Sequence, residues 1–148
     1  MLPAMRFTAP LLVALALAPG LAHLMELPNK IGLARDDYLT VQQIYRGWAL
    51  LGFVVVGALL STIALAILVR GHASEFAMTV VALICIVGTQ LVFWFFTFPV
   101  NQQTVNWTVA PDNWMALRKQ WEYSHAASCG LNFIALVSLI GATVVRER

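Results

Sequence analysis

Four stretches of this chain are long and apolar enough to cross a bilayer as helices, and they constrain the fold more than any motif does. A spanning helix needs about 20 predominantly apolar residues. Residues 7–27, 47–69, 76–100 and 123–145 meet that length, the second running uncharged to Arg70 and the fourth ending at Arg146. Hydrophobic residues make up 60% of the 148 and charged residues 11%. A soluble domain has roughly 45–50% and about 25%, so an ordinary soluble enzyme is excluded. Nine Lys and Arg against seven Asp and Glu exclude a strongly basic nucleic-acid binder, and two Cys exclude a disulfide framework. Barrel strands would alternate in polarity over about ten residues, and no such alternation occurs. The expected fold is a single all-α integral membrane domain over residues 1–148: a four-helix transmembrane bundle with helical extensions and an aromatic cap on one side.

The first stretch also has the parts of a signal peptide: Arg6 ahead of a short apolar run at 11–18, and small residues near Leu21-Ala22. A retained helix is the favoured reading, bent at Pro10 or, with more reason, at Pro19-Gly20. Four spans put both termini on one side, X, with the short loop 70–75. Side Y takes the longer connections, 28–46 and 101–122. Side X carries Arg6, Arg70, Arg146 and Arg148, and side Y carries Lys30, Arg35, Arg46, Arg118 and Lys119. The bare count does not orient the protein. The X-side arginines sit tight against the span ends, so the termini are expected to be cytoplasmic.

Side Y holds the informative residues. Trp48, Trp94, Trp107, Trp114 and Trp121 fall on or near it, as do Tyr38, Tyr45 and Tyr123, while side X has no Trp or Tyr. An interfacial belt would decorate both sides. The asymmetry points to a folded cap or an apolar site. Asp37 or Thr40 is placed to N-cap a helix running on into the second span, and Thr40 with Gln43 has capping-box spacing. Tyr38, Val41, Tyr45 and Trp48 form one helical stripe. Pro111-Asp112 signals another helix start. From there Trp114, Leu117, Trp121 and His125 lead into a helix over 113–145, about 50 Å long at 1.5 Å per residue. Pro99 ends or bends the third helix, and Asn101-Gln102-Gln103 place amides at the membrane boundary. Asn106-Trp107-Thr108 has the form of a glycosylation sequon.

Ionisable residues within spans are costly, so they are functional candidates by default. His23 and Glu26 lie three apart at the Y end of span one, and Glu122 and His125 lie three apart at the Y end of span four. Residues at i and i+3 share a helix face, and Glu-x-x-His in a four-helix bundle is a known metal-holding device. His23, His125, Glu26 and Glu122 are therefore the candidate metal ligands. His23 and His125 are the candidate haem ligands, with Trp121 lining the cofactor. Spans two and three offer no carboxylate for a di-iron site. A haem, a single transition-metal ion, or no cofactor and plain acid–base chemistry fit the inventory better. The plainer alternative is interfacial ion pairing, such as Glu26 with Lys30. His72 reads as a solvated turn residue, and Cys85 and Cys129 as packing residues too far apart in depth to bond. Gly57 with Ser61, and Ala126 with Gly130, have small-residue spacing that serves the bundle or a homo-oligomer.

Several of these marks coincide with a known family. Ala22-His23 to Pro28, Pro99-Val100-Asn101, and Trp114 to His125 with Leu117-Arg118 and Trp121-Glu122 resemble the anthrone oxygenase-like family of small four-helix membrane proteins. The resemblance extends over nearly the whole chain. It implies four membrane helices and, in some members, oxidation of an anthrone to an anthraquinone with molecular oxygen. It implies no particular cofactor. It points to Asn101, Trp121 and His125 as functional residues.

The resulting expectation is an oxygenase-like membrane oxidoreductase for a lipophilic aromatic or quinone-like substrate, entering from the lipid bilayer and seated among Trp48, Trp94, Trp114 and Trp121. His125, Asn101 and Glu122 are the expected catalytic residues: imidazole as ligand or base, Asn101 on a developing oxyanion, and Glu122 with Glu26 orienting the imidazoles. The alternative is a non-catalytic accessory subunit or lipophile-binding membrane protein. A channel is disfavoured because spans two and three carry no charge.

Overall fold

The computed structural model describes residues 1–145; Arg146 and Arg148, counted above on side X, lie outside the described residues. Helix α1 covers Leu2–Lys30, α2 Arg35–Gln42, α3 Gly52–Val69, α4 Ala73–Val92, α5 Phe98–Gln103 and α6 Trp114–Val144. Four helices are long and apolar enough to cross a membrane, and they coincide with the four expected spans. They pack as a closed ring, α1 on α3, α3 on α4, α4 on α6, and α6 back on α1. Large apolar residues such as Phe7, Phe53, Ile84 and Phe133 point outward, as expected where lipid rather than water surrounds the bundle.

The X half is a packed apolar core of Ala9, Val13, Leu65, Val69, Ile86, Ala135 and Leu139. Arg6 closes it. Its Nε and Nη2 donate to the two carboxylate oxygens of Glu75 at 2.7 and 2.6 Å. Glu75 belongs to the first turn of α4 rather than to the loop, where a carboxylate also complements the helix dipole. Helix α1 therefore supplies core residues and the guanidinium that meets the buried Glu75. Its three internal prolines, Pro10, Pro19 and Pro28, are accommodated within one continuous helix.

The Y half differs from expectation in two places. Helix α2 starts at Arg35 with Ala34 as N-cap, so neither Asp37 nor Thr40 caps it. Thr40 Oγ1 instead donates to the Asp36 carbonyl at 2.9 Å. Asp36 and Asp37 fall in the first turn, where the dipole favours them. Nor does α2 run on into span two. The chain tightens into a 3₁₀ turn at Gln43–Tyr45 and breaks at Gly47. There φ is +91°, a region costly for residues with a Cβ. It re-enters through a second 3₁₀ turn, Trp48–Leu51, before α3.

Pro99 does not end span three. A π-helical turn at Phe93–Thr97 precedes it, and α5 carries the axis on to Gln103. Pro99 cannot donate to the carbonyl four residues back, and the wider turn absorbs the defect. Gln120 Nε2 from α6 donates to the Phe96 carbonyl there at 2.9 Å. Residues 105–107 then form a left-handed turn, φ +48°, +53° and +62°. Thr104 secures it, its Oγ1 accepting from the Trp107 amide at 3.1 Å while donating to the Val100 carbonyl at 2.8 Å. The turn drives Trp107 into the cap beside Tyr38, Val100, Leu117 and Trp121.

Candidate functional site

The ring closure that packs α6 on α1 brings the two halves of the predicted site together. Gly20 lies opposite Cys129: a Cβ on Gly20 would come within 3.3 Å of the Cys129 Cβ. That small residue lets the helices approach one turn from His23 on α1 and one turn from His125 on α6. The two imidazoles stack face to face, centroids 4.2 Å apart and planes at 21°. Trp121 stands edge-on to both, at 4.2 Å from His125 and 5.0 Å from His23. Tyr45 covers His23 at 4.4 Å and Trp48 approaches it at 5.7 Å. The result is an aromatic box around two imidazoles. His23 Nδ1 and His125 Nε2 are buried without a hydrogen-bond partner.

Asn101 is part of the box's wall. Its Oδ1 accepts from Trp121 Nε1 at 2.7 Å, so this oxygen fixes the indole that touches both histidines. The carboxylates are placed otherwise than expected. Rather than orienting the imidazoles, Glu26 and Glu122 converge on Lys30, an ammonium whose side chain is 4% exposed. Glu122 Oε1 lies 3.2 Å from Lys30 Nζ and also accepts from the Tyr38 hydroxyl at 2.8 Å. Glu26 Oε2 lies 3.3 Å from the same nitrogen and accepts from the Tyr45 hydroxyl. Lys30 Nζ donates to that hydroxyl at 2.6 Å. Gln42 Nε2 donates to Tyr38 Oη. The phenol's single proton goes to Glu122, so the group facing it from Gln42 is the amide NH₂. Burial first, and the neighbouring carboxylate next, push both the Tyr38 and Tyr45 phenols far above the usual tyrosine value, so both remain hydrogen-bond donors.

Of the four tryptophans expected around the substrate, Trp48 and Trp121 reach the histidines. Trp94 is 56% exposed and packs on Phe93 and Phe98 at the outer surface. Trp114 stacks under the Arg118 guanidinium at 4.6 Å, near Tyr38. Trp107 instead is buried against Tyr38 and Trp121, at 4.9 and 6.1 Å. Lys30, Tyr38, Gln42 and Tyr45 were not among the predicted site residues. The stripe of Tyr38 and Tyr45 and the four-residue spacing of Glu26 and Lys30 were visible, but nothing local says that they meet Glu122.

Among the described residues, no three His, Cys, Asp or Glu side chains cluster so as to hold a metal ion. The stacked rings also do not suit one haem iron held by both histidines. With metal–nitrogen bonds of about 2 Å, end-on ligation from opposite faces holds the ring centroids roughly 6 Å apart. Both carboxylates already face an ammonium.

An open apolar groove of about 610 Å³ runs along the outside of the same region, lined by Leu15, Pro19, Ala22, Trp48 and Leu51 among others. Trp48 belongs to both groove and box. His72 is exposed at the start of α4, and Cys85 and Cys129 are buried free thiols. A Cβ on Gly57 would meet Leu12 of α1, which makes Gly57 an internal contact, whereas Gly130 faces open space. No family model, curated protein or solved structure matches the chain.

Proposed function

We propose that this chain is an oxygenase-like membrane oxidoreductase in which the stacked histidines act as the base toward a lipophilic aromatic or quinone-like substrate. The stacked His23–His125 pair in its aromatic box, each ring with an unpartnered buried nitrogen, carries the reading. The substrate enters from the bilayer along the groove and passes Trp48. An imidazole nitrogen takes a proton from an activated C–H, such as the methylene of an anthrone-like ring. The resulting carbanion is electron-rich enough to reduce molecular oxygen. Overall, one methylene and one O₂ give one carbonyl and one water, the carbon being oxidised and the oxygen reduced. The aromatic walls exclude water and hold the flat substrate in place. The resemblance to anthrone oxygenase-like proteins supports the same reaction class. In this reading the termini face the cytoplasm and the site opens toward the opposite side.

The test is oxygen uptake with an anthrone substrate by the detergent-purified protein. His125→Ala and His23→Ala are each expected to lower the rate at least a hundredfold while the protein still inserts and purifies. Unchanged turnover overturns the assignment. Elemental analysis and a UV–visible spectrum belong with it: about one metal per chain, or a Soret band, lost in these variants would replace the base with a ligand. The groove would serve a lipophile-binding subunit equally well, and that alternative predicts aromatic binding with no oxygen uptake.

A further inference from the structure

A proton lifted from a bound aromatic leaves an anion inside an apolar box, and such an anion needs a fixed positive charge nearby. Lys30 occupies the required position. Its Nζ lies 4.6 Å above the centre of the Tyr45 ring and 5.4 Å from that of Trp121. These are two of the rings that cover His23, at 4.4 and 5.0 Å. The ammonium is thus one ring away from the imidazoles, behind walls of low polarity that screen its field little.

The surrounding charges decide whether that field is available. Glu26 on α1 and Glu122 on α6 face the ammonium directly. Tyr45 and Tyr38 each donate a proton to one of those carboxylates. Arg118 on α6, its guanidinium 5.3 Å from the Tyr38 ring, donates to the Leu33 carbonyl at 2.7 Å and adds a second cation. Among the described residues, His23 and His125 are the further titratable neighbours, across the Tyr45 and Trp121 rings. Two carboxylates therefore flank Lys30, and Arg118 is a second cation beside Tyr38. Each phenol donates to the same carboxylate oxygen that faces Lys30, so part of each carboxylate's charge is taken up by a hydrogen bond, while the ammonium lies against the rings of the box.

We propose that Lys30 is the counter-charge that holds the bound aromatic in its anionic form, with Glu26 and Glu122 positioning it. The step is a simple transfer: the substrate's acidic C–H or O–H bond breaks, its proton goes to an imidazole nitrogen, and the electron pair stays on the ring system facing Lys30. This rests on the base reading above and extends it to the chemistry of what binds: a weakly acidic aromatic, recognised as its anion.

The probe is 2-naphthol, whose neutral and ionised forms absorb at different wavelengths, with 2-methoxynaphthalene as a control that cannot ionise. The probe's ionisation midpoint is measured in micelles with wild type, Lys30→Met, Lys30→Arg and Glu122→Gln. Wild type is expected to lower the midpoint by at least one pH unit relative to empty micelles, a tenfold preference for the anion. Lys30→Met should abolish that shift while binding of 2-methoxynaphthalene is unchanged, and Lys30→Arg should keep most of it. Glu122→Gln should keep most of it, because Glu26 and Tyr45 still hold the ammonium in place. A shift that survives in Lys30→Met overturns the proposal. So does a loss in Glu122→Gln as complete as in Lys30→Met, since that is what a merely structural ion pair would give. If Lys30→Met does not fold, the Arg and Gln variants decide, a lost shift in either counting against it. Wild type that binds both probes without any shift also overturns it, while the oxygen-uptake result stands separately.

Discussion

The bond between Asn101 and Trp121 is the smallest unit on which the site's geometry depends. The indole N–H is inside the protein and the amide oxygen is its acceptor, at 2.7 Å. Asn101→Ala strands that donor, at a cost of about 1–3 kcal/mol, and frees the ring that meets both histidines. A lowered thermal midpoint in detergent, with anthrone turnover falling further than stability alone explains, is the expected outcome; Asn101→Asp, which keeps an acceptor, should recover part of both. The short Pro99-Val100-Asn101 mark and the run from Trp121-Glu122 to His125 make Asn101 and Trp121 candidates, but an oxyanion contact is the role expected of Asn101. A sequence names a polar side chain without showing which partner reaches it first. The buried phenols carry a pH signature. Both are held above the ordinary tyrosine value of about 10. Folding therefore favours their neutral form, and that stability is present in full below about pH 10 and lost as pH rises beyond it. Thermal unfolding followed from about pH 8 to about pH 11 should show this decline, and the double variant Tyr38→Phe/Tyr45→Phe should start lower and fall less steeply.

At the level of elements, the apolar stretches were legible because bilayer thickness dictates their length, and each expected span lies almost wholly inside one of the four long helices, the last of which starts nine residues earlier at Trp114. The connections were harder to read. A stripe of Tyr38, Val41, Tyr45 and Trp48 looks like one continuous helix, yet Gly47 breaks it, and that break lets Tyr45 and Trp48 both turn onto His23. Periodicity records which residues share a side, and a single break at a glycine changes what that side faces. The pairing of Arg6 with Glu75 was hidden for a related reason: a charge near the membrane boundary reads as a topology signal. Arg6→Ala takes the guanidinium from a buried carboxylate, whereas Glu75→Ala leaves a guanidinium that is partly exposed, so the first costs more than the second. Both are expected to lower the thermal midpoint, Arg6→Ala by more. The double variant should be less destabilised than the sum of the two, a coupling measurable by a double-mutant cycle.

Across the whole molecule, neighbour relations were the least legible property. Chain order permits a ring in which the first span touches the last, but does not require it. Lys30 shows the consequence: four residues from Glu26 it reads as a local ion pair, and only the ring reveals Glu122 on its other side. The same closed packing buries both thiols, Cys85 and Cys129. A water-soluble maleimide should therefore leave the folded protein unlabelled and modify both cysteines once it is denatured, as mass spectrometry would read. Contact between the first and last helices also fixes when the site can exist. During synthesis His23 and Lys30 enter the membrane first, and Trp121, Glu122 and His125 follow about a hundred residues later. At 5–20 residues per second that is a wait of roughly ten seconds. For that interval a lysine and a histidine sit in the translocon's neighbourhood without their far-side partners. A chain cut short before its last helix would keep the Lys30 contacts to Glu26 and Tyr45 but lack Glu122, and would leave His23 without the stacked His125, a ready signal for quality-control proteases.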